Sequence, residues 1–417
     1  MRATIRTSMV EGGVTAPPSK SYTHRALVCS ALAEGRSIVH SPLICDDTEA
    51  TLEALEKLGT QIHRGEDIDV NGGPLEEADL FCRESGTTMR FMTAVCSLIE
   101  GRSALTGGQS LLRRPIGGLV DALRQLETKC RCRNGFPPVT VEGPLKGGKT
   151  EIRGDVTSQY TSALLLAAPL AERQVAIRVT TPLQSRKYVL MTIKTQRQFG
   201  IEVEASADLD NFRVDTQTYR PTAFDVEGDW SAASLLLAAG AIVGSIEVAG
   251  VNPDSLQPDT AILSILQDMG SNVRVTRRAV TIEKSELSAV NFDVSQSPDL
   301  FPVVAALCAS AGGISRITGT SRLRGKESDR VSAMREGLAA MGIRTWKNGE
   351  ALLIDGRRAS GADIDPKNDH RIAMAFGVLA LAADGESVIR DAECVSKSFP
   401  TFWNSIKSIG ANVEVTP

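Results

Sequence analysis

Six apolar runs recur along the chain, at residues 25–33, 89–99, 161–171, 232–243, 300–310 and 372–383. Each run is rich in small residues and is apolar on nearly every face of a helix. Helices of this kind lie in the interior of a domain, because none of their faces is suited to water. The runs therefore predict six buried helices. A β-like segment follows each of them, for example at 37–40, 246–249 or 388–390.

A second, amphipathic helix follows in each repeat and ends at a large apolar residue. The end points are Leu58-Gly59, Leu126-Glu127, Phe199-Gly200, Met269-Gly270, Met341-Gly342 and Ile409-Gly410, at intervals of 68, 73, 70, 72 and 68 residues. Five of the six copies place Gly where a left-handed helix end favours it, and Glu127 is the exception. Alternating residues then predict a hairpin, as in 200–204 with 212–214 and 270–275 with 280–282.

The repeating unit is therefore strand, buried helix, strand, amphipathic helix, strand, strand. Its period is longer than the roughly 20–50 residues of common solenoids, which favours two globular domains of three repeats each. The sixth unit reaches residue 417 before its last strand, and residues 3–8 are expected to supply that strand. We predict an α/β fold in which residues 1–16 and 223–417 form the first domain and residues 17–222 the second. The chain would cross between them at 15–18 and 220–224, and the active site would lie in the cleft between the domains.

Polar residues precede each buried helix, and many of them are ordinary N-capping types. Capping does not account for Lys20, Arg25, Arg90, His370 and Arg371. A cation is unfavourable at a helix N-terminus, whereas an anion is stabilised there by the free N–H groups and the helix dipole. These positions therefore indicate that an anion binds near the helix N-termini.

The loops before the amphipathic helices add further cations. Those expected to converge are Lys20, Arg25, Arg90, Arg114, Arg186, Lys326, Arg330, Arg371 and Lys397. A positive site of this size fits a small ligand with several negative charges rather than a polymer. Asp299 and Glu327 lie among these cations and are candidate proton shuttles.

Composition narrows the choice of partner. The chain has 417 residues with 46 Lys and Arg against 50 Asp and Glu, a net charge of −4. This balance argues against nucleic-acid and membrane partners, which attract basic surfaces.

No apolar stretch reaches the roughly 20 residues of a membrane span, and the first residues resemble neither a signal nor a transit peptide, so we expect a cytoplasmic protein. The eight Cys and four His show no metal-ligand spacing, so we expect no metal.

Seven segments, in order along the chain, resemble the EPSP synthase family of enolpyruvyl transferases. Residues 17–27 (PPSKSYTHRAL) are similar to the signature P-G-S-K-S-x-S-x-R-A-L, and residues 84–90 (ESGTTMR) to N-A-G-T-A-M-R. The others are Arg114-Pro-Ile, Ser158-Gln159, Lys326-Glu-Ser-Asp-Arg330, Asp369-His-Arg371 and Lys397-Ser-Phe-Pro400. Any single motif is weak evidence, but seven in order across the whole chain are specific.

The resemblance implies a two-domain inside-out α/β barrel with three βαβαββ repeats per domain, which agrees with the repeat count. It also implies transfer of the enolpyruvyl (carboxyvinyl) group of phosphoenolpyruvate to the 5-hydroxyl of shikimate 3-phosphate. This reaction of chorismate biosynthesis proceeds by addition and elimination through a tetrahedral intermediate and uses no cofactor. The partners implied are these two small-molecule substrates and the inhibitor glyphosate, and the protein would be a monomer.

The resemblance also carries site residues over to this chain. Shikimate 3-phosphate would be held by Lys20, Ser21, Arg25, Thr157, Ser158, Gln159, Ser185, Tyr188, Asp299 and Lys326. Phosphoenolpyruvate would be held by Lys20, Gly86, Arg114, Gln159, Arg330, His370, Arg371 and Lys397. Asp299 would take the hydroxyl proton with Lys326 nearby, and Glu327 or Lys20 would handle the proton on the vinyl carbon.

Several positions depart from the family pattern. The departures are Pro18, Thr23, His24, Glu84 and Gly325.

Three alternatives compete with this assignment. The enolpyruvyl transferase that acts on UDP-N-acetylglucosamine uses a Cys or Asp in the loop before Arg-Pro, and residues 107–115 contain neither. An RNA-end-processing relative is disfavoured by the net charge and by an aromatic content of 4%. A non-catalytic, anion-binding repeat scaffold would not need cations to converge at helix N-termini.

Overall fold

The structure is a computed structural model that describes residues 1–417, and it divides the chain into two compact units. Unit one comprises Met1–Pro17 and Gly228–Pro417, and unit two comprises Pro18–Glu227. Both units are built from short strands and helices in the predicted order.

The elements up to residue 227 are β1 (Arg2–Arg6), β2 (Glu11–Thr15), α1 (Lys20–Leu32), β3 (Gly35–His40), α2 (Asp46–Lys57), β4 (Gln61–Arg64), β5 (Ile68–Gly72), β6 (Asp79–Phe81), α3 (Gly86–Val95), β7 (Gly101–Thr106), α4 (Gly117–Gln125), β8 (Lys129–Arg133), β9 (Phe136–Gly143), β10 (Gly148–Ile152), α5 (Ser158–Ala167), β11 (Val175–Val179), α6 (Arg186–Gln198), β12 (Glu204–Ala205), β13 (Asn211–Val214) and β14 (Ala223–Asp225). Those that follow are α7 (Trp230–Val243), β15 (Ser245–Ala249), α8 (Ile262–Asp268), β16 (Asn272–Val275), β17 (Ala279–Glu283), β18 (Asn291–Asp293), α9 (Phe301–Ser310), β19 (Gly313–Thr318), α10 (Arg330–Ala340), β20 (Arg344–Asn348), β21 (Ala351–Gly356), β22 (Asp363–Ile364), α11 (His370–Ala380), β23 (Ser387–Arg390), α12 (Phe402–Ser408) and β24 (Asn412–Thr416).

The strands form six four-stranded sheets that share one topology. Unit two contains β14-β3-β5-β4, β6-β7-β9-β8 and β10-β11-β13-β12, and unit one contains β2-β15-β17-β16, β18-β19-β21-β20 and β22-β23-β1-β24. In every sheet the first pair is parallel and the other two pairs are antiparallel. A parallel pair requires a crossover, which the buried helix of the same repeat provides in four of the six sheets, and the last antiparallel pair is a hairpin in five of the six sheets. The βαβαββ repeat is therefore present six times.

The two chain crossings exchange strands between repeats. As predicted, β1 completes the sixth sheet, where Ala3 lies opposite Ile389 and Val415. However, β2 precedes α1 in sequence but pairs with β15 of unit one. Likewise β14 precedes α7 but pairs with β3 of unit two. Residues 223–227, which we expected in the first domain, consequently lie in unit two, because their strand is the parallel edge of its first sheet.

The apolar runs form buried helices, as their pattern predicts. In α7 every residue except Ser231 is buried, and all eleven residues of α11 are buried. Five of the six helices begin earlier than their apolar runs, as at Lys20 in α1, Ser158 in α5 and His370 in α11, whereas α9 begins at Phe301, after the 3-10 turn Pro298–Leu300. In these five helices, the polar residues next to the apolar run lie at the N-cap or in the first turn.

All six amphipathic helices end in a left-handed residue, including the one without glycine. The φ angles are +94° at Gly59, +80° at Gly200, +89° at Gly270, +79° at Gly342 and +102° at Gly410, and Glu127 has φ +65°. Glu127 therefore adopts the same left-handed backbone conformation as the five glycines, although it carries a side chain.

At position 127, glycine should be more stable than alanine. We expect Glu127→Gly to raise the free energy of unfolding by about 0.5–1 kcal/mol relative to Glu127→Ala, because glycine accepts positive φ without strain. Both variants lose the ion pair of Glu127 with Arg173, so their difference isolates the backbone effect. Denaturant unfolding of the full chain, followed through the transition of unit two, measures this difference in free energy of unfolding. Equal stability of the two variants would contradict the strain argument.

Candidate active site

In unit one, three predicted site residues converge on the carboxylate of Asp299. This residue lies in a short 3-10 turn, Pro298–Leu300, immediately before α9. Its Oδ1 accepts hydrogen bonds from Nζ of Lys326 at 3.2 Å and from Nη1 of Arg330 at 2.8 Å. Its Oδ2 accepts from Nη2 of Arg371 at 3.1 Å. Two loops and the first turns of α10 and α11 thus deliver one acid and three cations to the same place.

Arg330, the first residue of α10, links three carboxylates although it is only 1% exposed. Besides Asp299, its Nε donates to Oδ2 of Asp369 at 2.9 Å and its Nη2 donates to Oε2 of Glu327 at 2.7 Å. The other oxygen of Glu327 lies 3.9 Å from Nζ of Lys397. A planar guanidinium with five donors is suited to this bridging role. Glu327 and Lys397 therefore belong to the same charged cluster as Asp299.

Burial and charge act in opposite directions on this cluster. Burial alone would raise the pKa of Asp299, but the three cations around it, Arg371 foremost, hold that pKa well below its ordinary range. Burial lowers the pKa of Lys326, and Asp299 opposes that change. Burial also acts to lower the pKa of Arg330, but the acids around it outweigh this effect and the pKa is raised. Asp299 is therefore a carboxylate at neutral pH and a weak base in this arrangement.

His370 occupies the first position of α11 and is fully buried. Its Nδ1 lies 3.9 Å from Oδ1 of Asp369, the N-cap of the same helix. The side chain of Asp369 also accepts from the backbone N–H of Arg371 at 3.0 Å and from the hydroxyl of Ser328 at 3.0 Å. Asp369 thus organises the start of α11, and the role of His370 as a substrate ligand stays a prediction.

In unit two, Arg25 connects α1 with α6. Its Nε donates to the hydroxyl of Thr192 at 2.8 Å, and its Nη1 and Nη2 donate to the carbonyl oxygens of Ser21 at 2.8 Å and Tyr188 at 3.0 Å. All three acceptors are neutral, and burial lowers the pKa of Arg25 to about 10. A buried cation that bonds only neutral acceptors stabilises an anion placed beside it.

Gly86, the first residue of α3, lies against two guanidinium groups. A Cβ at this position would lie 2.5 Å from Nη1 of Arg90 and 2.7 Å from Cζ of Arg114. Arg90 also donates to the side-chain oxygen of Gln159 at 3.0 Å and to the carbonyl oxygen of Pro115 at 2.9 Å. Three of the residues predicted to bind phosphoenolpyruvate, Gly86, Arg114 and Gln159, are therefore neighbours, and Arg90 joins them.

The remaining predicted residues of unit two lie at helix starts. Lys20 begins α1, and its Nζ donates to Oδ2 of Asp47 at 2.7 Å. The hydroxyl of Thr157 caps α5 by accepting from the backbone N–H of Gln159 at 3.3 Å, and Ser158 is buried beside it. Ser185 precedes α6 with φ +54°, a strained conformation for a residue with a side chain. Strain of this kind clusters at functional sites, which fits the predicted role of Ser185.

Comparison with known proteins places the chain in a family. A sequence model of EPSP synthase (3-phosphoshikimate 1-carboxyvinyltransferase) matches residues 5–406. Proteins named 3-phosphoshikimate 1-carboxyvinyltransferase from Methanocorpusculum labreanum and Dehalococcoides mccartyi are 40% and 39% identical over 420 and 418 residues, with 99% of both chains covered in each case. The chain belongs to the EPSP synthase family. A structure of EPSP synthase from Acinetobacter baumannii is similar with a TM-score of 0.83 at 27% identity, covering 100% of both chains.

Membership of this family confirms the resemblance predicted from the sequence, and the similarity to a solved EPSP synthase confirms the predicted fold class. The relatives and the solved structure named above are EPSP synthases by name, so the alternatives of a UDP-N-acetylglucosamine transferase and a non-catalytic scaffold are not favoured. No helix has both the length and the apolarity needed to cross a membrane. No group of three or more His, Cys, Asp and Glu side chains is arranged to hold a metal ion.

Two buried acids had no predicted role in this EPSP synthase family member. Asp47 pairs with Lys20, and Asp259 accepts a hydrogen bond from the hydroxyl of Ser231. Both acids stand just before or within the amphipathic helix of their repeat, where other repeats carry Arg114 or Lys326. Comparison of the repeats marks their positions, because the corresponding places elsewhere hold site residues, but it does not show their burial or their partners.

Proposed function

We propose that the chain transfers the enolpyruvyl group of phosphoenolpyruvate to the 5-hydroxyl of shikimate 3-phosphate and releases phosphate. The observation that carries the proposal is the set of cations around Asp299, found in a chain that matches the EPSP synthase family over residues 5–406. Both substrates carry phosphate and carboxylate, so the reaction needs buried cations for binding and an acid–base group for the hydroxyl.

We propose that residues of unit two hold shikimate 3-phosphate. Ser21, Arg25, Thr157, Ser158, Gln159, Ser185 and Tyr188 would contact it, together with Lys20 from the same unit and with Asp299 and Lys326 from unit one. The helix starts of α1 and α5 offer hydroxyl groups and backbone N–H groups, which suit a phosphate monoester. The charge of Arg25, bonded only to neutral acceptors, supports this assignment.

Phosphoenolpyruvate would bind to a second set of cations. Arg330 and Arg371 would hold its carboxylate, since guanidinium groups bind carboxylates in a bidentate manner. Lys20, Arg114 and Lys397 would neutralise its phosphate, with Gly86, Gln159 and His370 completing the contacts. Gly86 leaves the space that a side chain would take from the guanidinium groups of Arg90 and Arg114.

The reaction would proceed in two steps that use the same groups in opposite directions. In the addition step, Asp299 accepts the proton of the 5-hydroxyl while the 5-oxygen of shikimate 3-phosphate bonds to C2 of phosphoenolpyruvate. Glu327 or Lys20 delivers a proton to C3. In the elimination step a proton leaves C3 and the C2–O bond to phosphate breaks. The double bond is restored, and one phosphate is released for each enol ether formed.

Substrate binding would also activate the base. The cations that depress the pKa of Asp299 are Arg371, Lys326 and Arg330, and the first and last of these would also bind the carboxylate of phosphoenolpyruvate. When an incoming anion shares their charge, the carboxylate of Asp299 loses part of its stabilisation and its pKa rises. Asp299 would thus become a stronger base only when the substrate is in place.

Phosphate release tests the proposed function directly. Release is measured with both substrates together, with each alone, and with phosphoenolpyruvate plus UDP-N-acetylglucosamine. We expect release only with the shikimate 3-phosphate pair and a loss of about 100-fold or more in Lys20→Met, on the scale of losing one charge-stabilising group. The exposed Lys57→Met is the control and should be unaffected. Folded protein that releases no phosphate with any acceptor would overturn the proposal in favour of a binding scaffold.

Glyphosate is proposed as an inhibitor at the phosphoenolpyruvate position, and Gly86→Ala tests this. A methyl group there must displace the guanidinium groups of Arg90 and Arg114, and overpacking of this kind costs about 1–3 kcal/mol. We expect about a tenfold rise in both the KM for phosphoenolpyruvate and the glyphosate inhibition constant, with little change in the KM for shikimate 3-phosphate. Gly73→Ala is the control, since a Cβ there meets nothing within 4 Å. A rise confined to shikimate 3-phosphate would show that Gly86 belongs to the other substrate.

We also propose that the protein acts as a monomer in the cytoplasm. All eight cysteines are free thiols, which fits a reducing compartment. Size-exclusion chromatography with light scattering tests the oligomeric state, and a mass near 89 kDa, about twice the 44.5 kDa of one chain, would exclude the monomer.

A further inference from the structure

Asp259 is a buried acid connected to the Asp299 cluster by hydrogen bonds. It lies in the 3-10 turn Pro258–Ala261 before α8 and is 1% exposed. One of its oxygens accepts a hydrogen bond from the hydroxyl of Ser231, while the other has no hydrogen-bond partner. The Oγ of Ser231 in turn accepts from Nη2 of Arg371 at 3.3 Å, and the same Nη2 donates to Asp299 at 3.1 Å.

The direction of these hydrogen bonds gives Asp259 a specific effect. Because the hydroxyl proton of Ser231 is donated to Asp259, the lone pairs of Ser231 face Arg371. Without an acceptor at residue 259 this hydroxyl would rotate freely, and its proton could face the guanidinium instead. Asp259 therefore makes Ser231 an acceptor for Arg371.

The repeat symmetry provides a second observation. In the first repeat of unit two, Asp47 stands at the start of the amphipathic helix and bonds to Lys20, the first residue of the buried helix. In the first complete repeat of unit one, Asp259 stands before the amphipathic helix and bonds to Ser231, the second residue of the buried helix. Both units thus use an acid at this place to fix a side chain in the first turn of a buried helix.

The charged and hydrogen-bonding groups around Asp259 belong to three other segments. They are Asp229 and the hydroxyl of Ser231 at the start of α7, Asp299 before α9, and Arg371 on α11. Burial and the charge of Asp299 raise the pKa of Asp259 to about 7, while Arg371 and Ser231 oppose the rise. The carboxyl group therefore changes its charge in the physiological range of pH.

We propose that Asp259 is a positioning residue that fixes the hydroxyl of Ser231, which in turn holds the guanidinium of Arg371 against Asp299. This inference rests on the proposed function, in which Arg371 binds phosphoenolpyruvate and Asp299 accepts the hydroxyl proton. Ionised Asp259 orients Arg371 and, as a neighbouring negative charge, favours proton uptake by Asp299. Turnover should therefore rise as the pH passes through neutrality.

The test compares Asp259→Ala, Asp259→Asn and Ser231→Ala with the wild-type chain in the phosphate-release assay. We expect Asp259→Ala and Ser231→Ala to lower kcat/KM for phosphoenolpyruvate at least tenfold and to leave the KM for shikimate 3-phosphate within about twofold. Asp259→Asn keeps an acceptor for Ser231 and should recover most of the activity at pH 7. It should also lose the rise in kcat between pH 6 and pH 8 that the wild type shows.

The controls separate this inference from folding and from the proposed function. Asp254→Asn removes an exposed charge from the same loop and should behave as wild type. Thermal unfolding reports whether each variant folds, and if Asp259→Ala does not, Asp259→Asn and Ser231→Ala decide the question. An unchanged pH profile in Asp259→Asn, or an equal rise in both KM values in Ser231→Ala, would overturn the inference. Failure of the wild type to release phosphate would instead count against the proposed function.

Discussion

Asp299→Asn is expected to lower kcat by about 10²–10⁴-fold, the usual contribution of a general base. Asparagine has nearly the same shape and keeps one of the two oxygen acceptors that Asp299 offers to Lys326, Arg330 and Arg371, but its NH2 group cannot accept a hydrogen bond and the side chain cannot take up the hydroxyl proton. It also removes the negative charge that competes with the substrate anions for these cations. The KM for phosphoenolpyruvate should therefore fall or stay unchanged while kcat collapses.

Steady-state phosphate release with both substrates varied measures this split between kcat and KM. Asp268→Asn, an exposed acid at the end of α8, is the matched control and should retain full activity. If Asp299→Asn keeps kcat within tenfold of the wild type, another group takes the hydroxyl proton and the assignment of Asp299 is wrong. A higher KM with normal kcat would give Asp299 a binding role only.

Replacing Arg330 should have the largest effect on stability. Arg330→Met leaves Asp369, Glu327 and Asp299 buried without their shared cation, and breaking a buried ion pair from one side costs about 3–5 kcal/mol. At about 2–4 °C per kcal/mol for a unit of this size, the unfolding transition of unit one should fall by roughly 6–20 °C. Differential scanning calorimetry of the full chain measures the shift.

The exposed pair of Arg390 with Asp363 provides the comparison for this variant. Arg390 makes two hydrogen bonds of 2.7 Å to Asp363, yet both side chains are about half exposed. Arg390→Met should therefore cost less than about 1 kcal/mol. The loss in Arg330→Met should also be smaller at pH 5 than at pH 8, because protonation relieves the acids that have lost their cation. Equal losses in the two variants would show that the buried cluster contributes no more than a surface pair.

The periodic features of the fold were predictable, and the pairing across the crossings was not. The helix ends at Gly59 and Gly342 and the apolar character of α7 are local signals, so the repeat could be read from the sequence. The choice of partner for β2 and β14 is long-range, and neither strand carries a pattern that distinguishes the two sheets. Both strands are also short, which leaves little sequence to specify their register.

The site was predictable where residue types violated a local rule. Lys20 and Arg371 are unfavourable at helix N-termini unless an anion binds there, and the structure places both in first turns. Asp47 and Asp259 violate no such rule, because acids before a helix are ordinary caps. Their burial and their partners are tertiary features, which only the packing of one repeat against the next reveals.

The exchange of strands also fixes the order in which the chain can become complete during synthesis. Unit two is one continuous segment, Pro18–Glu227, and all its strands have been made once residue 227 has been added. By contrast, β1 is made 385 residues before the start of β23 and must wait for it, which is roughly 20–80 s at about 5–20 residues per second. Strand β1 thus leaves the ribosome long before both of its partners, and during that interval its edges are open to wrong pairing or to a chaperone.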